Sequence, residues 1–69
     1  MLVFVEIWYR RKRGGAYRSH EIEQLEGLLE AGAPMTLKVD GNDRRVIVDK
    51  AAHTAISIAA VGTLWVTEA

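Results

Sequence analysis

Apolar residues occupy both sides of an alternating pattern at the start of the chain. The odd-numbered side of residues 2–9 carries only apolar residues: Val3, Val5, Ile7 and Tyr9. The even-numbered side is apolar except for Glu6: Leu2, Phe4 and Trp8. High β-branched and aromatic content predicts a strand, and two apolar faces are typical of a strand that is covered on both sides. We therefore expect either a partner subunit or a curled sheet to supply the second cover.

Residues 20–31 show the periodicity of an amphipathic helix. Their apolar positions recur at helical spacing: Ile22, Leu25, Leu28 and Leu29. Ser19 is a suitable N-cap, and Glu21 and Glu23 would lie in the first turn, where the helix dipole favours acids. Gly32 and Pro34 provide the expected stop. The pattern predicts one helix over residues 20–31.

A clean alternation follows the predicted helix and predicts an antiparallel hairpin. In residues 35–40 the apolar positions are Met35, Leu37 and Val39. Asp40-Gly41 is a strong signal for a two-residue hairpin turn. Residues 44–49 form the return strand, with Val46 and Val48 on one face.

The segment from Asp49 to Val61 supports two interpretations. Five alanines and an aspartate N-cap favour a helix, whereas β-branched residues favour a short turn followed by a strand. We expect a helical turn at 50–53 and a strand at 54–60, then a final strand at 63–68. The result is a single domain over residues 1–69 of the α+β class, with the order β-α-β-β-β-β: one amphipathic helix packed on a mostly antiparallel sheet of four to five strands.

Charge is balanced overall but unevenly spread along the chain. Nine Lys and Arg oppose nine Asp and Glu, so the net charge is zero. Residues 1–18 contain five bases and one acid, and residues 19–31 contain four acids and no base. Because a dedicated nucleic-acid binder is usually basic overall, the zero net charge weighs against that function.

Catalytic and metal chemistry finds little support in the residues. The chain has no Cys, and its two histidines, His20 and His53, are far apart in sequence. "HEIEQ" lacks the second histidine of a zinc-binding H-E-x-x-H helix, and "DGND" continues without the ligands of a calcium loop. Ser19, His20 and Glu21 are adjacent and would not face one another on a helix. We expect a non-enzymatic protein without metal or cofactor.

Two binding functions remain, and they use different residues. A protein-interaction or regulatory module, acting as a homodimer or with another protein, would use interface aromatics: Trp8, Tyr9, Tyr17 and Trp65. A nucleic-acid-binding protein would use the basic loop 10–18 on phosphates, with Arg44 and Arg45 as an extension. The bases that would contact nucleic acid or another partner are Arg10, Arg11, Lys12, Arg13, Arg18, Arg44 and Arg45. We expect a protein partner or self-association first and nucleic acid second.

A membrane partner is not expected from the sequence. The apolar run at 55–66 has 12 residues, fewer than the roughly 20 that a membrane helix needs. The apolar start of the chain precedes the basic residues, which reverses the order of a secretory signal. We expect a soluble, cytoplasmic protein.

Overall fold

The alternating segments of the chain build one sheet. The computed structural model describes residues 2–69, and among these residues every regular element is a strand. The strands are β1 (Val3–Arg11), β2 (Gly14–Ser19), β3 (Glu23–Leu25), β4 (Pro34–Val39), β5 (Asn42–Ala52) and β6 (Gly62–Glu68). The predicted α+β class, with the order β-α-β-β-β-β, is therefore wrong.

The first and last strands are neighbours in the middle of the sheet. The strand order is β2-β1-β6-β5-β4, and β3 pairs with β1 beside β2. β1 and β6 are parallel, from the pair Val5 and Gly62 to the pair Arg10 and Thr67, and the other pairings are antiparallel. Because β1 and β6 run in the same direction, their carboxyl ends lie at the same end of the sheet.

The core lies on one face of this sheet, which we call the inner face. Its fully buried side chains come from four strands: Val5, Ile7, Leu37, Val46, Val48, Leu64 and Val66. Leu37 on β4 joins the same cluster as Ile7 on β1, although β5 and β6 lie between these strands. β2 and the β4–β5 hairpin, which stand at opposite edges of the sheet, line one cleft, so the sheet is curled around its inner face.

The opposite face of β1 is not buried, contrary to the expectation from its two apolar sides. Phe4 on this face is 46% exposed, and Trp8 is half-buried. The apolar residues on both sides of β1 predicted that both of its faces would be buried. Within the described chain, the curled sheet buries only the inner face. The aromatic residues on the other side of β1 face a surface that ligands can reach.

The predicted helix at 20–31 is extended chain in the structure. Residues 23–25 pair with residues 5–3 of β1, because β2 covers only the later part of the same edge. A 12-residue helix is marginal in isolation, and Gly27 at its centre lowers its stability further. Pairing with the edge of β1 provides backbone hydrogen bonds instead. The apolar pattern still predicts burial correctly for three residues that pack against the core: Leu25, Leu28 and Leu29.

The hairpin at 35–49 is confirmed. β4 and β5 pair antiparallel from Val39 with Asn42 onward. Asp40 and Gly41 form the turn with φ angles of 51° and 80°, as a type I′ turn requires.

The segment after this hairpin differs from its prediction. β5 continues to Ala52, so no helical turn forms at 50–53, and residues 53–61 form a loop rather than a strand. The β5–β6 register shifts between Val48 and Lys50. This irregularity places Lys50 opposite Trp65, and Ala51 opposite the buried Leu64. The final strand is confirmed as β6.

Candidate functional site

Three aromatic side chains lie together on the solvent-facing side of β2, β1 and β6, which we call the outer face. Trp8 and Trp65 are partners in the parallel pairing. Tyr17 on β2 lies two residues from Ser19, the partner of Trp8, and therefore shares its face. The three rings line a shallow groove of about 540 Å³, together with Glu6, Thr63 and residues 54–56. These three aromatic residues were predicted as interface residues from the sequence, and the fold places them next to one another.

A polar network fixes one side of the aromatic group. Nε of Arg10 donates to the hydroxyl of Thr67 at 2.7 Å, and that hydroxyl donates to Asp49. The phenol of Tyr17 donates to the same Asp49 carboxylate at 2.8 Å. The guanidinium carbon of Arg10 lies 4.7 Å from the centre of the Tyr17 ring, a cation–π distance. These contacts hold side chains from β1, β2, β5 and β6 in one arrangement.

The ionisation of this network follows from its contacts. Burial raises the pKa of the Tyr17 phenol, and the hydrogen bond to Asp49 raises it further. Burial also favours the neutral form of Asp49, but hydrogen bonds from Thr67 and Tyr17 and the charge of Arg10 outweigh it, so the pKa of Asp49 is lowered. Asp49 is therefore a carboxylate at neutral pH, and Tyr17 keeps its proton.

Glu6 connects the outer face to the loop at 53–61. Its carboxylate accepts the backbone N–H groups of Ser57 at 2.6 Å and Ile56 at 3.1 Å. These two backbone bonds, the Ser57 bond above all, lower the pKa of Glu6. Nearby, the hydroxyl of Thr63 donates to the carbonyl of Thr54 at 2.7 Å. The one polar residue in the apolar start of the chain thus anchors a loop more than 45 positions away.

Replacing Glu6 by Gln should lower thermal stability at neutral pH and reduce its pH dependence. The folded pKa of Glu6 lies below its ordinary value of 4.5, so its stabilising effect is present above that pH and is lost as the pH falls through the folded pKa. Melting temperatures of the wild type and Glu6→Gln should differ at pH 7 and converge in acid. Glu30→Gln, at an exposed site, is the control. Parallel curves for the wild type and Glu6→Gln at every pH would contradict the anchoring role.

The loop at 53–61 presents isoleucines to solvent. Ile56 is 84% exposed and Ile58 is fully exposed. The start of β1 and the end of the loop are adjacent, since the N–H of Val61 donates to the carbonyl of Phe4 at 2.8 Å. We call this region of exposed apolar side chains the apolar end of the outer face: Leu2, Phe4, Ile56, Ile58 and Val61.

The opposite end of the outer face is basic. Arg11 ends β1, and Lys12 and Arg13 form the turn to β2; all three are exposed. Arg45 on β5 shares the face of Ile47 and lies at the same end, because its carbonyl accepts the N–H of Ala69 just beyond β6. We call this region the basic end, with three bases: Lys12, Arg13 and Arg45. Arg11 follows the alternation of Tyr9 and lines the cleft on the inner side instead. Within residues 2–69 these bases form no ion pair.

Three other predicted contact residues lie on the inner side of the sheet: Tyr9, Arg18 and Arg44. Arg18 is the strand partner of Tyr9, and Arg44 forms an ion pair with Glu68 at 3.4 Å. Burial, followed by the charge of Glu68, raises the pKa of Tyr9. These residues line a mixed-charge cleft of about 1040 Å³ between β2 and the β4–β5 hairpin. The predicted basic set is thus divided between two faces.

Several residues of the site were not among the sequence predictions. Ile56 and Ile58 were assigned to a strand, and Asp49 and Lys50 were assigned to the hairpin and a turn. The ammonium of Lys50 lies 5.1 Å from the centre of the Trp65 ring. Glu6 is the only charged residue in the apolar start of the chain. This isolation was the one sequence signal that could have indicated its role in anchoring the loop at 53–61.

Comparison of the chain with protein-family models, with curated proteins and with solved structures gives no match. The described residues contain no group of three histidine, aspartate or glutamate side chains placed to hold a metal ion. In residues 2–69 there is also no helix with the length and hydropathy needed to cross a membrane. The outer face itself is therefore the basis on which a function can be proposed.

Proposed function

We propose that the chain is a small non-enzymatic protein-interaction module whose apolar end binds a partner protein. The observation that carries this proposal is the exposure of Ile56 and Ile58 on a loop that Glu6 holds in place. Burying an exposed isoleucine contributes about 1.5–3 kcal/mol. An anchored loop loses less conformational entropy on binding than a flexible one, so more of that energy becomes affinity.

The surroundings of the apolar end indicate the character of the partner. β3 pairs with the start of β1 and brings an acidic segment beside it, with Glu21 exposed. Interfaces commonly combine an apolar centre with a polar rim of complementary charge. The partner surface that fits this end is apolar with a basic margin. If the partner is a second copy of the chain, the same surface mediates self-association.

Replacing Ile56 and Ile58 together by Ser should abolish partner binding while leaving the fold intact. We expect affinity to fall at least 30-fold, about 2 kcal/mol, as for buried interface anchors. The measurement is capture from nuclease-treated lysate on the immobilised chain, followed by a binding isotherm with the captured protein. Ile47→Ser, the same change at a residue that is 38% exposed on β5, is the matched control.

Light scattering of the same proteins tests self-association. A dimer formed by the wild type and by Ile47→Ser, but not by the double variant, would identify the partner as a second copy. Equal capture by all three proteins, or binding of the wild type only to neutral lipid vesicles, would contradict the proposal.

A further inference from the structure

We propose that the aromatic row and the basic end of the outer face bind single-stranded nucleic acid, a ligand separate from the protein partner of the apolar end. The aromatic row consists of Tyr17, Trp8 and Trp65 on three neighbouring strands. Neighbouring strands lie about 4.8 Å apart, which allows successive unpaired bases to meet successive rings. Stacking on aromatic rings is the sequence-tolerant means by which proteins hold single strands.

The charges around this row suit a phosphate backbone. Lys50 lies beside Trp65, and Arg10 lies over Tyr17, so a cation accompanies each outer ring of the row. Asp49 offsets the charge of Arg10, at 3.8 Å from its guanidinium. Beyond them, the basic end adds three exposed bases with no ion-pair partner among residues 2–69: Lys12, Arg13 and Arg45. Two acids lie on the same face, but Asp49 is bound by Tyr17 and Thr67, and Glu6 is bound by backbone N–H groups of the loop at 53–61.

The register of the sheet places the aromatic rings and the bases next to one another, so that one bound nucleic-acid strand can reach both. Trp8 and Trp65 form one cross-strand pair, and two residues further along Arg10 and Thr67 form the next on the same face. Lys12 and Arg13 follow in the turn between β1 and β2, just beyond Arg10. A single strand can therefore place bases on the rings and phosphates at the basic end. A duplex keeps its bases stacked inside and offers none to the rings, so the site discriminates against it.

The test uses a fluorescein-labelled oligothymidine of about ten nucleotides, within the usual span of such sites. Trp8 and Trp65 are the only tryptophans of the chain, so binding should quench most of its intrinsic fluorescence. Trp8→Leu, which keeps an apolar side chain without a stacking surface, should weaken binding about tenfold. Ile56→Ser with Ile58→Ser should leave oligonucleotide affinity unchanged, which separates this site from the apolar end.

Salt dependence tests the role of the bases. Replacing Lys12, Arg13 and Arg45 by Ala should reduce the slope of log affinity against log salt by about 2, as expected for three lost contacts to a single strand. Arg18→Ala, an exposed base on the inner side, is the matched control and should leave the slope within experimental error. Three results would overturn the inference. The first is that tryptophan fluorescence is not quenched, and the second is that the corresponding duplex binds as tightly as the single strand. The third is that heparin binds as tightly as the single strand and that Trp8→Leu binds both as tightly as the wild type does.

Discussion

Gly62→Ala should destabilise the chain by about 3 kcal/mol, at the upper end of the usual cost of overpacking. A Cβ atom at this position would lie 2.5 Å from the carbonyl oxygen of Ala52 and 3.0 Å from a methyl carbon of Leu28. The carbonyl belongs to the β5 backbone and cannot rotate away, so β5 and β6 would have to separate. Since β6 lies between β1 and β5, the change acts on the centre of the sheet.

Gly27→Ala is the matched control for this substitution. Among residues 2–69, no atom outside Gly27 and its chain neighbours lies within 4 Å of the position that its Cβ would occupy, so stability should change by less than about 0.5 kcal/mol. Urea unfolding followed by tryptophan fluorescence gives both values. A Gly62→Ala variant as stable as Gly27→Ala would mean that β5 and β6 do not approach as described.

Leu64→Ala should cost about 2–5 kcal/mol, the range for truncating a buried leucine. Leu64 is fully buried and lies beside Ile7 on β1 and Ala51 on β5. A domain of this length has a stability of roughly 3–10 kcal/mol, at about 0.05–0.15 kcal/mol per residue. The truncation therefore removes a large part of the total stability.

The same truncation at Leu2, which is 55% exposed, should cost less than about 0.5 kcal/mol. Chemical denaturation of both variants beside the wild type provides the comparison. Similar losses at Leu2 and Leu64 would show that the apolar end is part of the core, and the proposed binding surface would then be wrong.

Local patterns predicted the strands well where one face is buried. Met35, Leu37 and Val39 alternate with polar residues, and Asp40-Gly41 fixes the turn, so β4 and β5 were predictable. β1 and β6 were also predictable as strands from their β-branched and aromatic residues. The parallel pairing of β1 with β6 was not, because no local signal specifies which distant strands become neighbours.

The segment at 20–31 shows why the helix prediction failed. Ile22, Leu25, Leu28 and Leu29 fit a helical stripe, yet Ile22 is 41% exposed while the three leucines contact the core. A short extended segment with a bend can bury the same leucines. The deciding factor was an unpaired edge of β1 at residues 3–5, which is a tertiary feature that sequence periodicity does not contain.

Individual site residues were predictable, but their grouping was not. Trp8, Tyr17 and Trp65 were named from residue type, and the sheet then placed them together on one face. Arg44 and Arg45 were expected to act together, but alternation along β5 sends them to opposite faces. The apolar end was missed because Ile56 and Ile58 resemble a strand in sequence, and only the fold shows that they lack a cover within the described chain.

The parallel pairing of β1 and β6 explains the chemical asymmetry of the outer face. Both strands begin at the apolar end, where Phe4 and Val61 meet, and both finish at the basic end, where Arg10 pairs with Thr67. An antiparallel pair would have mixed these residues at each end. The two proposed ligands, an apolar protein surface and a single strand, follow from this single topological feature.

The most direct test of the account is the pairing of Trp8 with Trp65 across β1 and β6, on which both the sheet order and the aromatic row depend. In a nuclear Overhauser spectrum of the labelled chain, we expect cross-peaks between the indole protons of the two residues. We also expect backbone cross-peaks in parallel register between Ile7 and Leu64. Absence of these cross-peaks in a folded sample, or backbone cross-peaks in an antiparallel register between β1 and β6, would contradict the account.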